Sequence, residues 1–253
     1  MKNNIHIFEN KKNVNQSKSL TINNPQGYKC LAILSMLYLC MMLFNTILTN
    51  RYVGSEFIFV LGGTFTSPFV FLIDNIIAEI YGFKITRNII FFALGIQTLF
   101  VVLCQLILST SYPKHFQNNA AYELILGWSL VRIHISGCFA YLLAMLFNTK
   151  VLTQWKVLLK GRKFWLRSIA SCTIAEGLYS FLAILLMEIQ SIPLGNIFKV
   201  VLLSYGIKMI YNIIFIVPAQ IIVNYIRKIS DIDVYDFNPK FMPSNYLHLQ
   251  VKK

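Results

Sequence analysis

Charge is what this sequence has least of. Asp, Glu, Lys and Arg make up 13% of its 253 residues, where soluble domains carry about 25%. So few charges, with a mean hydropathy of +0.59, exclude an ordinary soluble domain and leave one integral membrane unit. Acidic residues are scarcest, ten against 23 basic ones, for a net charge of +13. That excess does not mark a nucleic-acid binder, because the basic residues fall in short runs between apolar segments, where they orient membrane spans. Cysteine is sparse and badly placed for chemistry. Cys30, Cys40, Cys104, Cys138 and Cys172 all lie within apolar segments, which argues for packing thiols and against disulfides or a metal site. HExxH, GxSxG, Walker and dinucleotide-binding patterns are missing, as is a spaced nucleophile–His–acid set, so nothing points to an enzyme or a cofactor.

The first residues, MKNNIHIFENKKNVNQSKSLTINNPQGYK, hold no apolar run of the signal-peptide kind, so the first span is expected to be retained. Residues 1–27 read as a polar, disordered cytoplasmic tail. Residues 28–228 read as a six-helix membrane transport domain, and residues 229–253 as a second polar cytoplasmic tail. In that tail the Asp231-Ile-Asp-Val-Tyr-Asp236 stretch is better read as solvated than as a cation loop.

About 20 apolar residues cross a bilayer as a helix. Six stretches qualify, near Cys30–Leu48, Phe57–Ile80, Ile89–Ser109, Leu124–Phe147, Ile169–Met187 and Ile197–Ile226. Pro68 and the Gly62-Gly63 pair suggest a bent or broken second span, and Pro218 a kink or a late start in the sixth. The connections then fix direction. Eighteen Lys and Arg lie in the two tails and the second-to-third and fourth-to-fifth connections, against Arg51, Lys114 and Lys199 on the other side. The expected fold is therefore all-α, with six transmembrane helices and both termini cytoplasmic. Tyr81-Gly82-Phe-Lys84 to Phe91 echoes Tyr205-Gly206-Ile-Lys208 to Phe215. A 3+3 inverted repeat would produce this match, although chance in apolar sequence is the simpler source.

Ionisable groups inside these stretches stand out, since such groups at membrane depth are rare and mark solute or ion pathways. Asp74 and Glu79 lie in the second, Arg132 and His134 in the fourth, Glu176 in the fifth and Lys208 in the sixth. Residues three or four apart share a helix face. Asn75 and Glu79 therefore point together, Thr173, Glu176, Tyr179 and Ser180 form one polar stripe, and Ser204, Lys208, Tyr211 and Asn212 another. Arg132 and His134 fall on nearly opposite faces. Ser136, Ala140 and Ala144 form a small-residue row suited to close helix packing. Each group also has a plainer role: Glu79 solvated at a span end, Lys208 snorkelling, His134 a satisfied packing residue, Arg132 a structural partner for a carboxylate. Burial of Arg132 predicts pairing with Asp74 or Glu176.

Pro68-Phe69-Val-Phe71, the Asp74-Asn75 pair, Glu79-Ile-Tyr81-Gly82 and the basic turn of Lys84 and Arg87 together resemble the second-span signature of the queuosine precursor transporters, also called vitamin uptake transporters. Arg132, Ala140-Tyr141, Trp165-Leu-Arg167, Ser171, Tyr205, Lys208 and Pro218 follow in the family's order, so the resemblance covers about residues 28–228. It implies import of a small molecule, a 7-deazaguanine base or relative, for making queuosine in tRNA. The candidate substrate-binding residues are Glu176, Asn75, Asp74, Tyr179, Arg132, Lys208 and Glu79. A carboxylate can accept adjacent ring N–H donors in pairs, and Phe69, Phe71, Tyr81 or Tyr179 can stack on the ring. The chain departs from the family where Thr-Asp becomes Asp74-Asn75, where the span-five amide and acid become Glu176 and Tyr179, and where late span-four Gln and Asp become Met145 and Asn148. Two other readings stay open: a substrate-binding subunit of an energy-coupling vitamin uptake complex, or a structural membrane protein without a ligand. The first is weakened because Ala32 is followed by Met36 in place of a second alanine. The lipid bilayer is the one certain partner; a homo-oligomer is compatible with the sequence.

Impermeant thiol labelling tests the orientation. Ser111→Cys is expected to react only from the outer face and Lys160→Cys only from the cytoplasm; labelling of Ser111→Cys from the cytoplasm alone contradicts it.

Overall fold

A computed structural model describes residues 25–161, 163–189, 191–230 and 232–234. The expected N-terminal tail up to residue 24, and most of the C-terminal tail with Asp231 and Asp236, lie outside them. The order is α1 (Pro25–Leu48), a hairpin of β1 (Tyr52–Gly54) and β2 (Phe59–Leu61), α2 (Gly63–Tyr81), α3 (Phe83–Leu108), α4 (Asn119–Leu126), α5 (Trp128–Leu158), α6 (Phe164–Glu188) and α7 (Leu194–Ser230). The fold is nearly all-α. Five helical stretches are long and apolar enough to cross a membrane, namely α1, α3, α4 with α5, α6 and α7.

The second expected span behaves differently. Its first residues, Phe59–Leu61, form β2, whose antiparallel register pairs Tyr52 with Leu61, Val53 with Val60 and Gly54 with Phe59. The helix starts only at Gly63, where an added Cβ would lie 2.0 Å from the Thr49 hydroxyl; α1 and α2 approach so closely here that only glycine fits. Pro68 lies inside α2. Nearly every residue of α2 is buried, with only Phe65, Thr66, Phe69 and Leu72 partly exposed. It packs against α1, α3, α5, α6 and α7. Asp74, Asn75 and Glu79 therefore face protein, not lipid, and the lipid-facing apolar surface belongs to neighbours such as α3, where Phe92, Leu99 and Ile107 are exposed. Gly82, at φ 83°, is the one residue between α2 and α3, and its positive φ turns the chain back without a longer loop.

Two further boundaries move. Leu124–Leu126 belong to the short α4, which Gly127 separates from α5. At its other end α5 runs to Leu158, past the expected stop at Phe147, so Lys150 and Lys156 are helical and not loop residues. Helix α7 is continuous through Pro218. The small-residue row of α5, Ser136, Ala140 and Ala144, is buried, and the most extensive contact of α5 is with α6.

The helix ends away from the hairpin are tied by charge. Glu79, fully buried, receives Arg167 Nη1 and Nη2 at 2.9 and 2.8 Å, one bond to each carboxylate oxygen. Arg227 from α7 bonds the same carboxylate. Lys156 from α5 donates to the Glu79 carbonyl and, at 2.5 Å, to Asp233, which also pairs with Arg227 at 3.0 Å. The segment after α7 is held by the same knot: Val234 N–H donates to the Ile80 carbonyl at 3.1 Å and its own carbonyl accepts from Lys156 at 2.7 Å. Glu79 is thus a buried ion-pair centre, not the solvated span-end acid that was the alternative.

Removing one partner of a buried pair strands the other and costs about 3–5 kcal/mol. Arg167→Met is expected to lower the thermal unfolding midpoint of the purified protein sharply. Arg227→Met should lower it less, because its side chain is already 22% exposed and Arg167 still holds both Glu79 oxygens. Equal midpoints for the two variants contradict this ranking.

Candidate functional site

At the opposite, hairpin end the helices part around two small chambers. One is lined by Asn45, Ser67, Gln97, His134, Tyr141 and Tyr179 among others and encloses about 20 Å³. The second, also about 20 Å³, is lined by Thr64, Tyr179, Ser180 and Lys208 with neighbouring apolar groups. Each holds about one water. Thr49, Tyr179 and Met187 line both, so the Tyr179 ring stands on the partition. That ring is fixed by Phe71 at 5.8 Å and Tyr141 at 5.9 Å between centroids. The Lys208 ammonium lies 4.7 Å from its centroid, a cation–π geometry.

Lys208 does not snorkel. It is buried within α7 and donates to Ser180 Oγ at 2.9 Å. Glu176 lies one turn before Ser180 on α6, fully buried. Lys208 and Asn212 face it from α7, yet neither carboxylate oxygen, nor the Asn212 amide nitrogen, has a hydrogen-bond partner. A buried carboxylate with two empty acceptor positions is costly and uncommon. The Ser204 hydroxyl on the same α7 stripe instead accepts from Thr64 at 3.1 Å.

Asp74 and Asn75 lie deeper. Asn75 is tied at both ends of its amide: the nitrogen donates to Ser168 Oγ at 2.7 Å and Cys172 Sγ at 3.0 Å, and the oxygen accepts from Asn148 at 2.7 Å. These bonds join α2, α5 and α6. Asp74 Oδ2 accepts from Thr149 at 2.9 Å and, more weakly, from Asn148 at 3.4 Å; Oδ1 accepts from nothing.

Arg132 is elsewhere. It sits at the hairpin end of α5 and donates to Ser191 at 2.8 Å, in the turn before α7. The expected pairing with Asp74 or Glu176 is corrected: only four residues beyond the start of α5, its side chain reaches the loops and not the interior. The arginines that meet a buried acid are Arg167 and Arg227, both at Glu79. Close to Arg132 at the rim, Tyr52 donates to Glu188 at 2.7 Å. Burial, and then this bond to a carboxylate, push the Tyr52 phenol well above its ordinary pKa.

Several lining residues drew no notice in the sequence. Asn45 and Ser67 are short neutral groups in apolar runs, and Gln97, which donates to Thr46, is the one amide in the middle of α3. The available signal was their polarity at depth, weaker than a charge. His134 meets Thr98 at 3.0 Å and lines a chamber as well.

Long apolar helices wrapped round a polar, cavity-bearing interior define a multi-pass membrane protein. Residues 61–223 match the family described as "Putative vitamin uptake transporter", and the chain belongs to it. A queuosine precursor transporter of Escherichia coli (strain K12) is 25% identical over 207 residues, covering 80% of this chain and 90% of that protein. No solved structure matches the chain.

Proposed function

We propose that this protein imports a queuosine precursor, a 7-deazaguanine base or close relative, across the bacterial cytoplasmic membrane. Family membership and the printed name of the E. coli relative support the substrate class. The eighteen-to-three basic asymmetry supports six spans with both tails inside and the hairpin outside. On that orientation the chambers lie toward the outer side, and the Glu79–Arg167–Arg227 knot closes the cytoplasmic end. Uptake then needs the knot to loosen as the outer end closes, an alternation common to transporters.

The observation that carries the reading is Glu176. Both of its oxygens are buried without a hydrogen-bond partner among the described residues, facing Lys208 and Asn212 and one turn from Ser180, which with Lys208 lines the second chamber. A deazaguanine supplies what is missing: ring N–H and exocyclic amine donors side by side, accepted as a pair by one carboxylate. Tyr179 offers its ring for stacking, and Lys208, now held by Ser180, a donor to the base's carbonyl. Asn75, occupied at both ends, holds the helices and not the base, and Arg132 stays at the outer rim.

Cells unable to make queuosine precursors, supplied with candidate bases, are expected to restore queuosine in their tRNA only when they express this chain. Loss of a charge-assisted paired contact costs about 1.5–3 kcal/mol, roughly ten- to more than a hundredfold in affinity. Glu176→Gln should therefore depress uptake per folded molecule by that order. Uptake within twofold of the unchanged protein removes Glu176 as a ligand.

A further inference from the structure

Asp74 is the interior's other unsatisfied carboxyl, and its surroundings differ from those of Glu176. It is fully buried, and no lysine, arginine or histidine pairs with it among the described residues. The titratable groups that face it are Tyr38 from α1, Tyr141 from α5 and Cys172 from α6; all are neutral in their ordinary forms. A carboxylate at this depth with no countercharge is costly, and such groups mark proton relays in pumps and transporters. A bound proton removes the charge. A metal cation suits the place less, because hard cations take oxygen acceptors and the neighbours of Asp74, the Thr149 hydroxyl and the Asn148 amide, present donors to it.

A second observation supplies a route. Tyr141 lines the hairpin-side chamber, and its hydroxyl meets that of Tyr38 at 2.5 Å. Both phenols lie within electrostatic range of Asp74. Tyr38 is fully buried and lines neither chamber, so of the two bonded hydroxyls one belongs to the residue at the chamber wall, Tyr141, and the other to the inner residue, Tyr38.

We propose that Asp74 is a proton-binding site, loaded from the chamber through Tyr141 and Tyr38, whose occupancy couples uptake to the transmembrane proton gradient. In loading, a hydronium entering the chamber gives its proton to Tyr141 and leaves as water, Tyr141 gives its own proton to Tyr38, and Tyr38 turns its hydroxyl to the unpartnered Asp74 Oδ1 and passes its own proton there. Both hydroxyls end unchanged and the carboxylate ends neutral. The proton leaves to cytoplasmic water when the Glu79 end opens. The coupling rests on the uptake reading above; the proton site does not.

Two measurements on the full-length protein separate them. Infrared difference spectra between acid and alkaline pH, in lipid and without substrate, read protonated carboxyls directly. One such band, present at low pH and lost at high pH, is expected to vanish in Asp74→Asn and to shift in Asp74→Glu, which serves if the amide variant folds poorly. Unaltered bands in these variants overturn the site whatever the flux. In proteoliposomes with the membrane potential clamped, an acid exterior should drive accumulation of a radiolabelled 7-deazaguanine base. One proton per base sustains up to about tenfold accumulation per pH unit. Asp74→Asn should hold the ratio at one, and Tyr38→Phe should slow the approach to the same final ratio. Accumulation driven by a sodium gradient alone, or kept by Asp74→Asn, overturns the coupling. The expected band with no flux of the base through the unchanged protein upholds the proton site and counts against the substrate reading.

Discussion

A carboxylate inside a membrane protein must find a cation, and the fold of this chain turns on how Glu79 finds two. Arg167 grips both of its oxygens from α6 while Arg227 reaches one from α7, and Lys156 of α5 closes on the backbone carbonyl of the same residue. Three helices are therefore fixed to one point of α2. The chain after α7 is drawn in through Asp233 and Val234. Breaking such a knot is expensive in place, yet it consists of a few bonds at one end, so a single rearrangement can release all of them together. That is the behaviour expected of a closure that must open.

Above this knot the polar groups divide their work. Asn75 bonds Asn148 and Ser168 across α2, α5 and α6 and holds the helices in register. Among the described residues, one oxygen of Asp74 and both of Glu176 have no hydrogen-bond partner. The second acid has a buried lysine nearby and the first has none, a difference that suits one to a donor-rich base and the other to a proton. The nearly complete burial of α2 makes this arrangement tolerable, because the lipid meets only its neighbours.

Much of this was legible in the chain itself. Apolar length and the basic runs outlined the helices, and the motifs around Pro68, Glu79 and Arg167 pointed to the family. What was not legible follows from how span limits are read. A hydropathy pattern records where residues suit lipid, not where a helix stops, so Phe59–Leu61 was absorbed into a span although Gly62 and Gly63 end it in a hairpin. For the same reason α5 outran its apolar core and carried Lys156 inside. Partners across helices have no signature in a single sequence: Arg132 and Arg167 are equally charged, and only packing reveals that the second reaches an acid. The lining amides and hydroxyls of Asn45, Ser67 and Gln97 were too mild a signal among apolar neighbours.

The central claim is that the interior opens at the hairpin end and is shut at the Glu79 end. Cys138 lines one chamber beside His134, and a variant keeping only this cysteine measures access to it. An impermeant thiol reagent should reach Cys138 from the outer face and be excluded from the cytoplasmic face, with cytoplasmic labelling appearing once Glu79→Gln breaks the knot. Labelling from the cytoplasm at the same rate with and without Glu79 would contradict the account.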